Sequence, residues 1–113
     1  MGDRGNIFVA DGDEHGVYLY AHWHGSVLSG ILRAALRRSR DRWDDPQYLA
    51  RIIFCEMIRD DVDGLTGFGI TSRVWGGDYR VIKVDPNTYT VTMKDESWTF
   101  EEFCKLDEEP ECI

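Results

Sequence analysis

Between Val17 and His24 the chain alternates with a period of two. Val17, Leu19, Ala21 and Trp23 fall on one side, and Tyr18, Tyr20, His22 and His24 on the other. A strand of this kind needs an apolar layer against its first face. Its second face presents a row of rings with polar tips. Gly25 ends the alternation, and Ser26 stands where a helix N-cap belongs. From Ser26 to about Arg40 the period becomes helical. Leu28, Ile31, Leu32, Ala35 and Leu36 make one stripe, with Arg33, Arg37 and Arg40 opposite. A half-apolar strand running straight into an amphipathic helix points to a sheet with helices layered on it.

The rest of the chain extends this pattern. Asn6 to Ala10 reads as a short strand, joined to the alternating one by the turn Asp11-Gly12-Asp13-Glu14-His15-Gly16. Asp45-Pro46 has the cap and first-turn proline of a second helix. Leu49, Ile52, Ile53, Phe54, Met57 and Ile58 give that helix so wide an apolar arc that it is expected to be the central buried one, stopping at Gly64. Three strands follow, at about Ile70–Trp75, Tyr79–Val84 and Tyr89–Lys94. Gly76-Gly77-Asp78 is expected to join the first pair, and a proline turn at Asp85–Thr88 the second. Thr99 and Glu102 have capping-box spacing for a last short helix, with Phe100 and Phe103 turned inward. The expectation is a single α+β domain over residues 1–106. It has two layers in the order ββααβββα, with a mainly antiparallel five-stranded sheet on two helices. Residues 107–113 form an acidic, frayed tail.

Composition narrows the function classes. The 113 residues carry 13 basic and 21 acidic side chains, a net charge of −8. That field repels nucleic acid and anionic membrane surfaces, so nonspecific binding to either is not expected. Cys55, Cys104 and Cys112 form neither a disulfide framework nor a C-x-x-C pair. The N-terminus has no leader pattern, and no apolar run approaches the roughly 20 residues that span a membrane. A cytoplasmic protein with reduced thiols and no cofactor is the expectation.

Chemistry-bearing residues are few. His22 and His24 have a strand spacing that can bring two imidazoles to one Zn²⁺, with His15, Asp13 or Glu56 as third ligand. Glu56 falls within the apolar arc of the second helix and needs a partner such as Arg59. Asp60-Asp61-Val62-Asp63-Gly64 is not an EF-hand loop, because Arg59 would fall at its first ligand position. Thr66-Gly67-Phe68-Gly69 lacks the lysine of a phosphate loop, and no nucleophile elbow occurs.

With no catalytic constellation, the reading is a small acidic non-catalytic binding or inhibitory protein that occupies or sequesters a target. A phage- or mobile-element-encoded inhibitor of a host defence system is of this type. Its expected partner is a basic host protein. The other expected partner is an anionic, nucleotide-like small molecule held between rings (Tyr18, Tyr20, Trp23, Trp75) and arginines (Arg33, Arg37, Arg73). The expected binding face comprises Tyr18, Tyr20, His22, His24, Arg33, Arg37, Arg73 and Trp75. The alternative is a metal-dependent enzyme using His22, His24 and Glu56. Edge strands such as Asn6–Ala10 or Ile70–Trp75 also give a route to a homo-oligomer.

Overall fold

A computed structural model of the chain describes residues 2–12, 15–108 and 110. The turn residues Asp13 and Glu14, and Glu109, Glu111 and Cys112 of the tail, lie outside the described residues. The molecule is α+β, with helices against one face of a single sheet. Strands β1 (Gly5–Ala10) and β2 (Gly16–Ala21) form the expected hairpin. A 3-10 turn at Gly25–Val27 leads into α1 (Leu28–Arg38), followed by α2 (Pro46–Met57). Then come β3 (Phe68–Thr71), β4 (Ile82–Asp85), β5 (Thr90–Met93), β6 (Glu96–Thr99) and the short α3 (Phe100–Cys104).

The sheet has six strands rather than five, in the order β3-β2-β1-β4-β5-β6. The additional strand, β6, pairs antiparallel with β5 through a tight turn that puts Lys94 at φ 53°. Lysine seldom adopts that conformation, so Lys94-Asp95 gave no turn signal. One expected pairing is corrected, while β4 and β5 pair antiparallel through the expected proline turn. The glycines at 76 and 77 suggested a hairpin, but β3 lies outside β2 while β4 lies parallel to β1. Burial explains the placement. Ile82 and Val84 of β4 are at most 1% exposed and occupy an interior position, whereas Ile70 of β3 is 62% exposed and sits at the edge. Accordingly Asn6–Ala10 is an interior strand, paired on both sides, and offers no edge for self-association.

The helix layer buries the face of the sheet formed by Ile7, Val9, Leu19, Ala21, Ile82, Val84, Val91 and Met93. Leu28, Leu32, Ala35 and Leu36 of α1, Leu49 and Ile53 of α2, and Phe100 and Phe103 of α3 complete the core. α2 is not fully buried: Leu49, Ile53 and Met57 face inward, while Arg51 and Cys55 are exposed. It ends at Met57 rather than at Gly64. Asp45 and Pro46 start it as expected, and the Thr99–Glu102 capping box starts α3. Ser26 does not cap α1. Its backbone N–H and hydroxyl instead donate to Asp3 at 2.8 and 3.0 Å. A carboxylate from the chain's start thus takes the capping role from outside the segment.

The opposite face of the sheet carries Phe8 and Tyr18, in ring contact, and the buried Asn6 and Tyr20. The connection between β3 and β4 crosses it. Asn6 Nδ2 donates to Gly76 O at 2.8 Å, the Arg4 and Asp78 backbones bond at 2.9 Å, and the Trp75 ring rests 5.1 Å from that of Tyr20. Among the described residues no helix is long and apolar enough to cross a membrane.

Candidate functional site

β2 ends at Ala21, and beyond it the parity of the sequence breaks. The chain bends at His22 and Trp23, so Trp23, expected on the core face, is instead 56% exposed. The bend is clamped by the His22 N–H, which donates to Gly67 O at 2.8 Å. Gly67 has φ 101°, and a Cβ there would stand 3.1 Å from the Trp23 ring. The positive φ favours glycine, and a Cβ there would press on the Trp23 ring.

These features form a cleft of about 460 Å³ lined by Arg4, Tyr20, His22, Trp23, Leu65, Thr66, Gly67, Phe68 and Trp75. Its ring geometry is specific. The Tyr20 phenol and His22 Nδ1 are 2.7 Å apart. Trp23 meets His22 edge to face at 4.8 Å, and Trp75 lies tilted over Tyr20. Tyr20 is buried, whereas Trp75 is 64% exposed and Leu65 99% exposed. Arg4 lies beside the carboxylate of Asp78. The Arg4 backbone N–H and guanidinium hold the Asp78 carboxyl below its ordinary value.

The structure gathers only part of the expected binding face. Tyr20, His22, Trp75 and Trp23 meet in the cleft. Tyr18 lies further along β2, half-buried against Phe8. His24 stacks on Phe68 at 5.1 Å and borders a different cleft, with Glu56, Arg59, Asp60 and Asp61. Arg73 is exposed and does not line the aromatic cleft. Arg33 and Arg37 are engaged elsewhere: Arg33 Nη1 donates to Leu106 O at 3.0 Å, and Arg37 Nε to Cys104 O at 2.7 Å. Arg40 pairs with Glu101. Arg33 and Arg37 therefore hold the C-terminal end of α3, and Arg40 its first turn. Ser29 extends the contact by donating to Pro110 O at 2.7 Å, so the chain after α3 runs back along α1.

The putting together of His22, His24 and Glu56 as a metal set does not occur. Among the described residues no three His, Cys, Asp or Glu side chains gather in a way that could hold a metal ion. Asp13, the other suggested ligand, lies outside them, and His15 is exposed in the β1–β2 turn. Glu56 is an ion-pair residue, accepting from Arg38 at 2.9 Å and Arg59 at 2.7 Å. Desolvation works to raise its carboxyl, but the two guanidinium hydrogen bonds outweigh this and leave it below its ordinary value.

Arg4, Leu65, Thr66, Gly67 and Phe68 had not been associated with the site. Gly67, flanked by Thr66 and Phe68, was the available signal, since a glycine opening a strand often marks close approach of another group. No protein-family model, curated protein or solved structure matches the chain, so its own geometry carries the functional argument.

Proposed function

We propose that this is a non-catalytic binding protein that grips a partner protein through the aromatic cleft. The observation that carries the reading is the exposure of Trp23, Trp75 and Leu65 around a cleft with buried Tyr20 among its lining residues. Tryptophan and tyrosine are the side chains that most often dominate protein interfaces, and exposed apolar groups gathered on a small protein mark such surfaces. An anionic ligand finds less support: Arg33 and Arg37 are bonded to the end of α3, and Arg4, the lining cation, is paired with Asp78.

Charge supports a basic partner. The chain is at −8, and Asp60, Asp61 and Asp63 come just before Leu65 in the loop that forms one side of the cleft. Such a field speeds encounter with a positively charged surface, while the rings supply the contact. Binding of this kind inhibits or sequesters by occupation. A small inhibitor encoded by a phage or other mobile element would act on a host system in this way.

The test is affinity purification of the tagged chain beside Trp23→Ala and Trp75→Ala, with folding checked by circular dichroism. The reading requires a protein retained by the wild type and lost from both variants. Equal retention by folded variants, or retention of no protein, overturns it.

A further inference from the structure

The two edges of the sheet are not equivalent. Hydrogen bonding alternates along an antiparallel pair, so one known bond fixes the direction of every other group. The His22 N–H bonds Gly67 O, and in the same register Gly69 faces Tyr20 and Thr71 faces Tyr18. On the other side of β2, the Asp11 N–H bonds His15 O, which turns the backbone groups of Val17, Leu19 and Ala21 toward β1 and those of Tyr18 and Tyr20 toward β3. Both observations agree. The N–H and C=O groups of Phe68 and Ile70 point away from the sheet, and among the described residues they find no partner.

The edge at β6 is blunted. The Phe100 N–H bonds Tyr89 O, so Ser97 and Thr99 are the outward-facing residues of β6. The Thr99 N–H is taken by Glu102 Oε1 at 2.8 Å, within the capping box of α3, and Glu96 places a charge on the strand. β3 has neither device. Phe68-Gly69-Ile70-Thr71 contains no charge and no proline, the features that normally protect an edge.

We propose that β3 pairs with β3 of a second copy of this chain, antiparallel across a two-fold axis at Gly69. That register sets Phe68 opposite Ile70 of the second copy and closes four backbone hydrogen bonds. It also brings the Phe68 and Ile70 side chains of both copies together on the helix-bearing face. Gly69 meets Gly69 on the other face, where it has no atom within 4 Å of a Cβ position. Charge favours this register. Leu65 through Ser72 is uncharged, so two copies at −8 meet where neither presents a charge. Arg73 falls level with Leu65 of the second copy, two residues from its Asp63. The seam adjoins the cleft, which Phe68 also lines, but its backbone bonds involve neither Trp23 nor Trp75, so Trp23→Ala is expected to leave the dimer intact.

Sedimentation velocity of the full chain over a range of concentrations tests the proposal. The expected result is a reversible dimer whose dissociation constant rises at least about tenfold in Ile70→Lys. Gly69→Cys, in a background with Cys55 and Cys112 replaced by serine, is expected to form an intermolecular disulfide with oxidised glutathione. Directly opposed residues of this kind have Cα atoms about 4.5 Å apart. Amide exchange gives a readout that needs no variant. The Phe68 and Ile70 amides should slow as concentration rises, while the Gly69 amide, bonded to β2, should not respond. A monomer at every concentration overturns the proposal. So does a dimer whose Phe68 and Ile70 amides exchange independently of concentration.

Discussion

The phenol oxygen of Tyr20 and Nδ1 of His22 share a hydrogen bond of 2.7 Å, tying a buried ring at the end of β2 to an imidazole in the cleft. A phenol that donates here leaves the proton of the neutral ring on Nε2, and this is the arrangement we predict. Tyr20→Phe keeps the ring packing against Trp75 and removes that donor. The expected outcome is a folded protein in which His22 loses its preference for the Nε2–H tautomer, read from ¹⁵N chemical shifts of the imidazole. An unchanged tautomer would show that the hydrogen bond does not set it.

Asp3 and Glu56 are among the carboxylates that tie stability to pH. Asp3 accepts from Ser26 and Tyr79, and Glu56 from Arg38 and Arg59. In both, desolvation opposes the shift but the hydrogen bonds outweigh it, so the folded-state pKa lies below the ordinary values of 3.8 and 4.5. A group depressed on folding stabilises fully above its unfolded pKa, and the contribution disappears as pH falls through the folded value. The contribution of these two groups to the unfolding free energy should therefore be constant from neutrality to about pH 5 and fall below it. Glu56→Gln should lower the neutral-pH value by about 1 kcal/mol, since its arginine partners are half exposed, and should flatten the acid slope. Urea titrations at a series of pH values measure both.

Arg37 bonds two carbonyls at the end of α3, those of Cys104 and Leu106. Arg37→Met keeps most of the aliphatic stem and removes the donors. A loss of about 1–2 kcal/mol is expected, with faster amide exchange at residues 105–108 and unchanged exchange in β1. Uniformly faster exchange would mean that the arginine supports the whole fold rather than this segment.

Phe103 is fully buried and meets Trp98 edge to face at 5.5 Å. Phe103→Ala should cost about 3–5 kcal/mol, a large share of the stability of a domain this size. Thermal unfolding followed by circular dichroism measures it. A loss below about 1 kcal/mol would mean that α3 adds little to the core.

Local signals carried most of the elements into the structure. Asp45-Pro46 and Thr99–Glu102 act as caps because capping depends on residues three apart, and the Leu28–Leu36 stripe packs because its period is that of a helix. What sequence could not show was long-range. Ser26 has the chemistry of a cap, but Asp3 takes the position because β1 brings the chain's start beside it. The arginine stripe has the chemistry of anion binding, but Arg33 and Arg37 instead meet neutral backbone carbonyls closing α3, about 70 residues later. The Tyr20–His22 pairing follows from strand parity, but the tryptophans beside it depend on a bend after β2 and on a crossing loop. No local pattern encodes either.

The position of β1 has a consequence for synthesis. One side of this strand is satisfied by β2, made at once, but the other waits for residues 82–84. Until these leave the ribosome, β1 is a bare apolar edge, and the Leu106 carbonyl that Arg33 and Arg37 bind does not yet exist. Contacts so distant in sequence slow folding, because the intervening loop must close before they form. The nascent chain should thus remain open to chaperones or to premature association until β4 and the segment around Leu106 have been made. The complete sheet would form in one late step once β4 is available, rather than strand by strand as each is made.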